Sequence, residues 1–273
     1  MRKLKYKILM IDIDGTLLGK SRSISAEDKR ALAKASDSGV RVSLSTGRSM
    51  PGCVSIIDQL SLDGYHIFFD GALVSSPEVG KEVHVQPLGD KVVEQMVEVA
   101  HLRGIDLELF STTEYFVEGE TWSTNAHREF FGVEPNIVNF NGLWERERII
   151  KGGLVKTTPE EALKVESFCR QFSDKIHFSL ARTPAYPAVE FVNILAPGVS
   201  KGRALEAMSL HLGVSLAEVM AVGDGSNDVS LLSAAGLAVA MGNACDEAKA
   251  VADYITLDVE RSGLAAAIEK FLL

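Results

Sequence analysis

Two carboxylates interrupt a buried-strand pattern near the start of the sequence. Residues 8–13 are apolar apart from Asp12, and Asp14, Gly15 and Thr16 follow at once. A carboxylate that enters a low-dielectric site loses hydration free energy unless a cation or a hydrogen-bond donor meets it. The pattern therefore predicts that Asp12 and Asp14 meet such a partner at the end of a strand.

Three further segments place polar side chains at the ends of predicted elements. Thr46, Gly47 and Arg48 follow the second predicted strand. Lys201 begins a predicted helix, where its charge opposes the helix dipole, so a compensating anion is expected. The third segment follows a later predicted strand and contains three possible metal ligands, Asp224, Asn227 and Asp228.

The carboxyl ends of the strands in an open parallel sheet meet at one crevice, so these groups are expected to lie together. Their many carboxylates repel one another unless a cation joins them. Mg²⁺ fits, because it binds a few carboxylates and completes its shell with water and phosphate oxygens. Together with Lys201 and the hydroxyl of Thr46, the metal would make a site for a phosphoryl group.

The order of the predicted elements positions these groups. Strands and helices alternate over the first and last thirds of the chain, and the strands are continuous apolar runs. This pattern is typical of an α/β fold, in which helices cover both faces of a parallel sheet. The middle third instead predicts two helix-plus-strand-pair units around a loop-rich stretch that carries Trp122 and Trp144. We therefore expect a core of residues 1–85 and 190–273, and an inserted α+β cap with an antiparallel sheet over residues 86–189.

Composition excludes several classes of protein. The 273 residues are 46% hydrophobic, carry a net charge of −9 and contain no Lys/Arg cluster, which disfavours a nucleic-acid partner. No apolar run approaches the roughly 20 residues that span a bilayer, so no membrane partner is expected. The three cysteines are widely spaced and include no CxxC pair, which disfavours a disulfide framework or a structural zinc site. We expect a cytoplasmic protein.

Four stretches of the sequence resemble the motifs of a known superfamily: DIDGTL (12–17), LSTGR (44–48), SKGRAL (200–205) and GDGSNDVSLL (223–232). They are similar to the four motifs of the haloacid dehalogenase phosphotransferases. Residues 241–256 and the inserted domain look like the Cof-like branch, the type-IIB phosphatases of small phosphorylated metabolites. The resemblance implies a Rossmann-like core and a cap of type C2B that selects the substrate.

The resemblance also implies roles for the acidic residues. Asp12 would be the nucleophile that takes the phosphoryl group as an aspartyl phosphate, and Asp14 would be the general acid and base. Mg²⁺ would be held by Asp12, by the backbone carbonyl of Asp14 and by Asp224. Asn227 and Asp228 would supply a further ligand or orient the ligands and water.

A second set of residues would hold the phosphoryl group. The resemblance implies that Thr46 and Lys201 bind its non-bridging oxygens, and that Gly47 lets the backbone approach it closely. Asn243 lies where the Cof-like branch has an asparagine on the phosphate side. A simple role in a turn is an equal alternative for Asn243.

Three questions stay open at the level of sequence. Asp70 stands where the branch usually has asparagine, and it is either a hinge residue or a determinant of substrate preference. An acid there would repel a phosphorylated substrate unless it is hydrogen-bonded or protonated. Arg48 either reaches the substrate or forms a salt bridge on the following helix. Substrate selection would fall to the cap, whose candidate residues are Glu118, Trp122, His127, Arg128, Arg182 and Tyr186.

The leading hypothesis is a Mg²⁺-dependent hydrolase of small phosphomonoesters, such as sugar phosphates. One alternative is a phosphomutase that uses the same nucleophile, and another is a non-catalytic sensor of phosphorylated metabolites. A receiver domain is disfavoured because it has no need of the insertion. Haloacid dehalogenation is disfavoured by Asp14 and by the acidic cluster at 224–228, since that reaction needs no metal. The sequence makes no prediction of oligomeric state.

Overall fold

The computed structural model describes residues 5–181 and 189–273. The strands, numbered in chain order, are β1 (Ile8–Ile11), β2 (Arg41–Leu44), β3 (His66–Phe68), β4 (Leu73–Ser76), β5 (Lys81–Val85), β6 (Glu108–Phe110), β7 (Tyr115–Val117), β8 (Asn136–Ile137), β9 (Lys151–Lys156), β10 (His177–Ala181), β11 (Glu190–Leu195), β12 (Val219–Gly223), β13 (Leu237–Ala240) and β14 (Tyr254–Ile255). The helices are α1 (Ala26–Asp37), α2 (Val54–Leu60), α3 (Asp90–Arg103), α4 (Trp122–Phe131), α5 (Pro159–Gln171), α6 (Lys201–Leu212), α7 (Val229–Ala234), α8 (Asp246–Val251) and α9 (Gly263–Phe271).

A five-stranded parallel sheet forms the centre of the core, in the order β14-β13-β12-β1-β2. Every residue of β1, β12 and β13 is buried, as a sheet covered on both faces requires. The register pairs β1 with both β2 and β12, so the carboxyl ends of these three strands lie side by side. The α/β fold class predicted from the sequence is confirmed.

The predicted third strand departs from this sheet after one contact. A single parallel bridge joins Ile67 of β3 to Ser45, and β3 otherwise pairs with β4 in a separate antiparallel sheet of β3, β4 and β5. The chain reverses between β3 and β4 through Phe69 and Asp70, whose φ angles are +51° and +52°. Non-glycine residues seldom adopt this left-handed conformation, so the turn is strained.

The inserted cap is built on a six-stranded sheet in the order β10-β11-β9-β6-β7-β8. All of its strand pairs are antiparallel except β7 with β8. Strand β11 (Glu190–Leu195) belongs to this sheet, so the expectation that the core resumes at residue 190 is wrong by this one strand. The chain returns to the core after Leu195, because β11 pairs with β9 and β10 and, among the described residues, with no strand of the parallel sheet.

Helix α4 lies where the sequence analysis expected a loop-rich stretch, and that expectation is wrong. Thr121 caps its first turn: the Thr121 hydroxyl accepts the Ser123 N–H at 3.1 Å, and the Thr124 hydroxyl accepts the Thr121 N–H at 3.0 Å. Gly132 ends the helix in the left-handed conformation, with φ of +62°. Both the start signal at Thr121 and the stop signal at Gly132 are readable in the sequence. In the described part of the chain, no helix is long and apolar enough to cross a membrane.

Helix α9 closes the core, and its first turn is capped by a residue from another helix. The Asp28 carboxylate of α1 accepts the Ala265 N–H at 2.8 Å and the Ser25 hydroxyl at 2.7 Å. Asp28 is buried, and burial raises the pKa of its carboxyl group. Ser262, which precedes α9, makes no side-chain cap. Asp28 therefore satisfies a backbone donor that would otherwise be buried without a partner.

We expect Asp28→Ala to lower the free energy of unfolding by about 1–2 kcal/mol, because the α9 donor loses its acceptor. Urea denaturation followed by circular dichroism measures the change. Glu27→Ala is the matched control, since Glu27 is the exposed neighbour of Asp28 and pairs only with Arg30 among the contacts found for it. Equal stability losses in the two variants would contradict this role for Asp28.

Candidate active site

The carboxyl ends of β1, β2 and β12 open into a cleft of about 510 Å³ between the core and the cap. This volume lies within the range of small-molecule sites in proteins. The core side of the cleft presents most of the residues that the sequence singled out: Asp12, Asp14, Thr46, Gly47, Arg48, Asp224, Asn227 and Asn243. The shared carboxyl edge of the parallel strands therefore brings these residues to one place.

Lys201 lies beneath this cleft at the first position of α6 and is 1% exposed. Its ammonium donates to Asp12 Oδ1 at 2.7 Å and to Asp228 Oδ1 at 2.6 Å. Burial alone would lower the pKa of Lys201, but the charges of Asp12 and Asp228 outweigh it and raise that pKa above the usual lysine value. The predicted anion that compensates this helix-start lysine is thus a pair of carboxylates.

Asp228 is fully buried and shapes the loop after β12. Its second oxygen, Oδ2, accepts the backbone N–H groups of Asp224 and Gly225, each at 2.9 Å. Asp224 in turn accepts the Thr16 hydroxyl at 2.8 Å, which ties this loop to the loop after β1. Both oxygens of Asp228 are therefore engaged by the protein, which favours the orienting role over the ligand role among the two that the sequence left open.

The carboxylates of Asp12, Asp224 and Asp228 form an acidic cluster, in which one oxygen from each lies within 4.8 Å of the other two. Burial, followed by the charge of Asp228, raises the pKa of Asp224 to about 7 and raises the pKa of Asp12 well above its usual value. Lys201 supplies one positive charge against three negative ones. The surplus charge and the all-oxygen donor set fit a hard divalent cation such as Mg²⁺.

Gly15 is required by its closeness to this cluster. A Cβ atom at Gly15 would lie 2.1 Å from Asp224 Oδ2, and the backbone φ of +97° is one that other residues rarely adopt. The glycine of the first motif therefore allows the loop after β1 to approach Asp224, where a side chain would displace the carboxylate.

Asp14 is held by Arg48 in a two-point ion pair. Arg48 Nε donates to Asp14 Oδ2 at 2.7 Å, and Nη2 donates to Asp14 Oδ1 at 2.6 Å. The guanidinium also lies 4.7 Å from the ring centroid of Phe131 on cap helix α4. The sequence left two roles open for Arg48, and the structure gives it a salt bridge that lies in the cleft instead of on a helix surface.

Thr46 and Asn243, both predicted phosphate ligands, hold the backbone around the cleft. The Thr46 hydroxyl accepts the Arg48 N–H at 3.1 Å. The Asn243 amide donates to the Gly15 carbonyl at 2.8 Å, and its Oδ1 accepts the Val259 N–H at 2.9 Å. Asn243 therefore fixes the loop after β1, and its binding to a phosphoryl group stays a prediction.

Asp70 is buried and hydrogen-bonded at both oxygens. Oδ1 accepts the amide of Asn227, and Oδ2 accepts the amide of Asn193 on cap strand β11, each at 2.8 Å. The Asp70 carboxylate is therefore hydrogen-bonded, which is one of the two conditions under which an acid here would not repel a phosphorylated substrate. Asp70 links the third strand, the loop after β12 and the cap, and its contact with Asn193 was not predicted from the sequence.

The candidate cap residues have different outcomes. His127 lines the cleft, and its Nδ1 lies 2.9 Å from the Ser123 carbonyl. Arg128 forms ion pairs with Glu120 and Glu134, Glu118 pairs with His101, and Trp122 is 44% exposed away from the cleft. Arg182 and Tyr186 lie outside the described residues.

Sequence reasoning missed several cap residues that line the cleft with His127: Phe110, Phe131, Lys151, Leu180, Phe191 and Asn193.

The fold is an α/β core with an inserted cap, and the cleft between them is lined by Asp12, Asp14 and Asp224. The sequence profile of the haloacid dehalogenase-like hydrolases matches residues 9–268. The chain belongs to that family.

Individual relatives are similar over almost their whole length. The 5-amino-6-(5-phospho-D-ribitylamino)uracil phosphatase YcsE of Bacillus subtilis is 30% identical over 269 residues, covering 98% of this chain and 96% of the relative. A haloacid dehalogenase-like hydrolase of Bacteroides thetaiotaomicron has a TM-score of 0.84 at 26% identity, covering 97% and 99% of the two chains. The subclass IIB sugar phosphatase BT4131 has a TM-score of 0.79 at 24% identity, covering 97% and 98%, a likeness of fold alone.

We expect Mg²⁺ to raise the Tm by about 5 °C when it exceeds its Kd a hundredfold, because the cation offsets repulsion in the acidic cluster. Differential scanning calorimetry with Mg²⁺ and with EDTA measures the shift. In Asp224→Asn the shift should be largely lost, while the Tm in EDTA should not fall, since one buried repulsive charge is removed. A full Mg²⁺ shift in Asp224→Asn would contradict this assignment.

Proposed function

We propose that the protein is a Mg²⁺-dependent phosphatase of small phosphomonoesters, with Asp12 as the nucleophile. The observation that carries this proposal is the pairing of Asp12 with buried Lys201 at the floor of a cleft that also contains Asp14. A carboxylate that serves only as a salt-bridge partner has no need to face a cleft. Membership of the hydrolase family supports the same reaction class.

Asp12 attacks phosphorus with one carboxylate oxygen. A bond forms between that oxygen and phosphorus as the ester P–O bond breaks, which leaves an aspartyl phosphate and an alkoxide. Lys201 binds Oδ1 of Asp12 and so fixes the orientation of the carboxylate. Its charge also stabilises the phosphoryl oxygens during transfer.

Asp14 moves the protons. It protonates the leaving alkoxide in the first step, and in the second it takes a proton from the water that hydrolyses the aspartyl phosphate. Arg48 holds both carboxylate oxygens of Asp14. This ion pair must therefore loosen as the substrate enters, so that an oxygen of Asp14 can reach the leaving group.

Mg²⁺ would be held by Asp12, Asp224 and the backbone carbonyl of Asp14, with Asn227 and Asp228 beside them. When bound, it supplies positive charge against the repulsion between the nucleophile and the phosphoryl oxygens. Thr46 and the backbone at Gly47 lie at the same strand ends and would hold the non-bridging oxygens.

The three cysteines are free, which fits the cytoplasmic location that the sequence predicts.

We expect Mg²⁺-dependent release of phosphate from at least one member of a substrate panel, and its loss in EDTA. The panel contains sugar phosphates, nucleotides, pyridoxal phosphate and 5-amino-6-(5-phospho-D-ribitylamino)uracil. Asp12→Asn should lower kcat by about 10³-fold or more, because the amide cannot act as the nucleophile. Asp37→Asn, an exposed acid at the end of α1, is the matched control and should keep full activity.

Two results would contradict the proposal. Tight phosphate binding without turnover of any panel member would indicate a sensor of phosphorylated metabolites. Turnover that requires a bisphosphate activator and returns the phosphoryl group to another hydroxyl of the substrate would indicate a phosphomutase.

A further inference from the structure

Lys151 is a cap residue whose ammonium lies in the wall of the active-site cleft. It belongs to β9 and is only 8% exposed. Its Nζ lies 3.3 Å from the backbone carbonyl of Gly47, in the segment predicted to hold the phosphoryl group. The cap therefore places a buried cation next to the expected position of the substrate.

Two aromatic rings face the Lys151 ammonium and give it cation–π contacts in place of hydrogen-bond acceptors. The ring centroids of Phe110 and Phe69 lie 4.8 Å and 5.9 Å from Nζ. Among the described residues, no carboxylate oxygen lies within 4.0 Å of this nitrogen. The long contact with Gly47 is the one hydrogen bond found for the ammonium within that part of the chain.

The two acids whose charges act on Lys151 are Asp70 and Glu108, and both are hydrogen-bonded elsewhere. Asp70 accepts the amides of Asn193 and Asn227, and Glu108 accepts hydroxyl groups at 2.9 Å and 2.5 Å. The donors of those two hydroxyls are Tyr115 and Ser123. These acids therefore attract the ammonium without supplying it with an acceptor.

An ammonium has three N–H donors, and a buried donor without an acceptor is costly. Burial lowers the pKa of Lys151, and the charges of Asp70 and Glu108 offset part of this effect. An oxyanion in the cleft would satisfy the free donors and stabilise the charged form. A neutral hydroxyl would supply an acceptor but no charge.

Most of the other cap residues in the cleft wall are apolar, and the polar exception, Asn193, uses its amide on Asp70. Phe110, Phe131, Leu180 and Phe191 line the cleft on this side, with His127 as another ring. Such a wall packs against an apolar skeleton and offers few partners to a chain of hydroxyl groups.

We propose that Lys151 binds an oxyanion, such as a carboxylate, on the leaving group of the substrate. The preferred substrates are then phosphomonoesters of acidic alcohols, a narrower class than sugar phosphates in general. This inference rests on the proposed phosphatase function, and Lys151 acts in it as a determinant of specificity.

Two matched substrate pairs test the proposal, and each differs by one carboxylate. One pair is 6-phosphogluconate and glucitol 6-phosphate, and the other is 3-carboxybenzyl phosphate and benzyl phosphate. The wild-type protein should prefer the acidic member of at least one pair by about 10- to 100-fold in kcat/KM, as a charge-assisted hydrogen bond predicts. Lys151→Met should bring that ratio close to one.

Lys156→Met is the matched control, because Lys156 lies on the same strand and pairs with Glu190 at 2.6 Å. It should keep the wild-type ratio. A wild-type ratio near one for both pairs, with turnover intact, would overturn the proposal and leave the phosphatase function standing. An equal loss for acidic and neutral substrates in Lys151→Met, together with a lower Tm, would indicate a structural lysine and overturn it as well.

Absence of turnover of any ester by the wild-type protein would count against the phosphatase function alone. Calorimetric binding of 3-carboxybenzylphosphonate and benzylphosphonate then decides the role of Lys151. Tighter binding of the carboxylate by the wild-type protein, lost in Lys151→Met, would support the proposal. Equal binding of the two phosphonates by both proteins would overturn it.

Discussion

The contact on which the site depends is the buried ammonium of Lys201 between Asp12 and Asp228. It joins the end of β1, the start of α6 and the loop after β12, three segments that are far apart in the sequence. A buried ion pair of this kind stabilises a fold only when every partner is hydrogen-bonded, and loss of one partner leaves an uncompensated charge. Asp228 meets this condition by also accepting two backbone N–H groups. The same contact leaves Asp12 oriented toward the cleft, so one interaction serves both the core and the chemistry.

Surplus negative charge explains much of what surrounds this contact. Asp224 is stabilised by the Thr16 hydroxyl, and Asp70 is stabilised by two amides, one of which comes from the cap. Arg48 forms an ion pair with Asp14 and contacts the ring of Phe131 in the cap. The Asp70–Asn193 and Arg48–Phe131 contacts therefore couple the position of the cap to the acidic residues. Movement of the cap would change the surroundings of Asp14 and of the loop after β12 together.

Local pattern was enough to predict the parallel sheet, the two cap units and the core side of the site. Apolar runs that end in Asp12, Thr46 and Asp224 are signals within one strand and its loop, and parallel topology brings such strand ends together. The motif resemblance added the roles of these residues. Partners that meet across the two domains could not be predicted, because Asn193 and Asp70 are separated by 123 residues, and Lys151 and Gly47 by 104. Lys151 lies within the apolar run 149–155, but that run alone does not predict that its ammonium meets Gly47 of the core.

If Asp12 carries the phosphoryl group, the covalent intermediate can be trapped on it. The Asp14→Asn variant is mixed with Mg²⁺ and p-nitrophenyl phosphate, whose leaving group needs no proton, and is quenched rapidly. Borohydride then reduces any acyl phosphate to the alcohol, and peptide mass spectrometry locates the change. We expect conversion of Asp12 to homoserine, and no conversion when the ester is omitted. Conversion of a different residue, or steady turnover with Asp12 unlabelled, would contradict it.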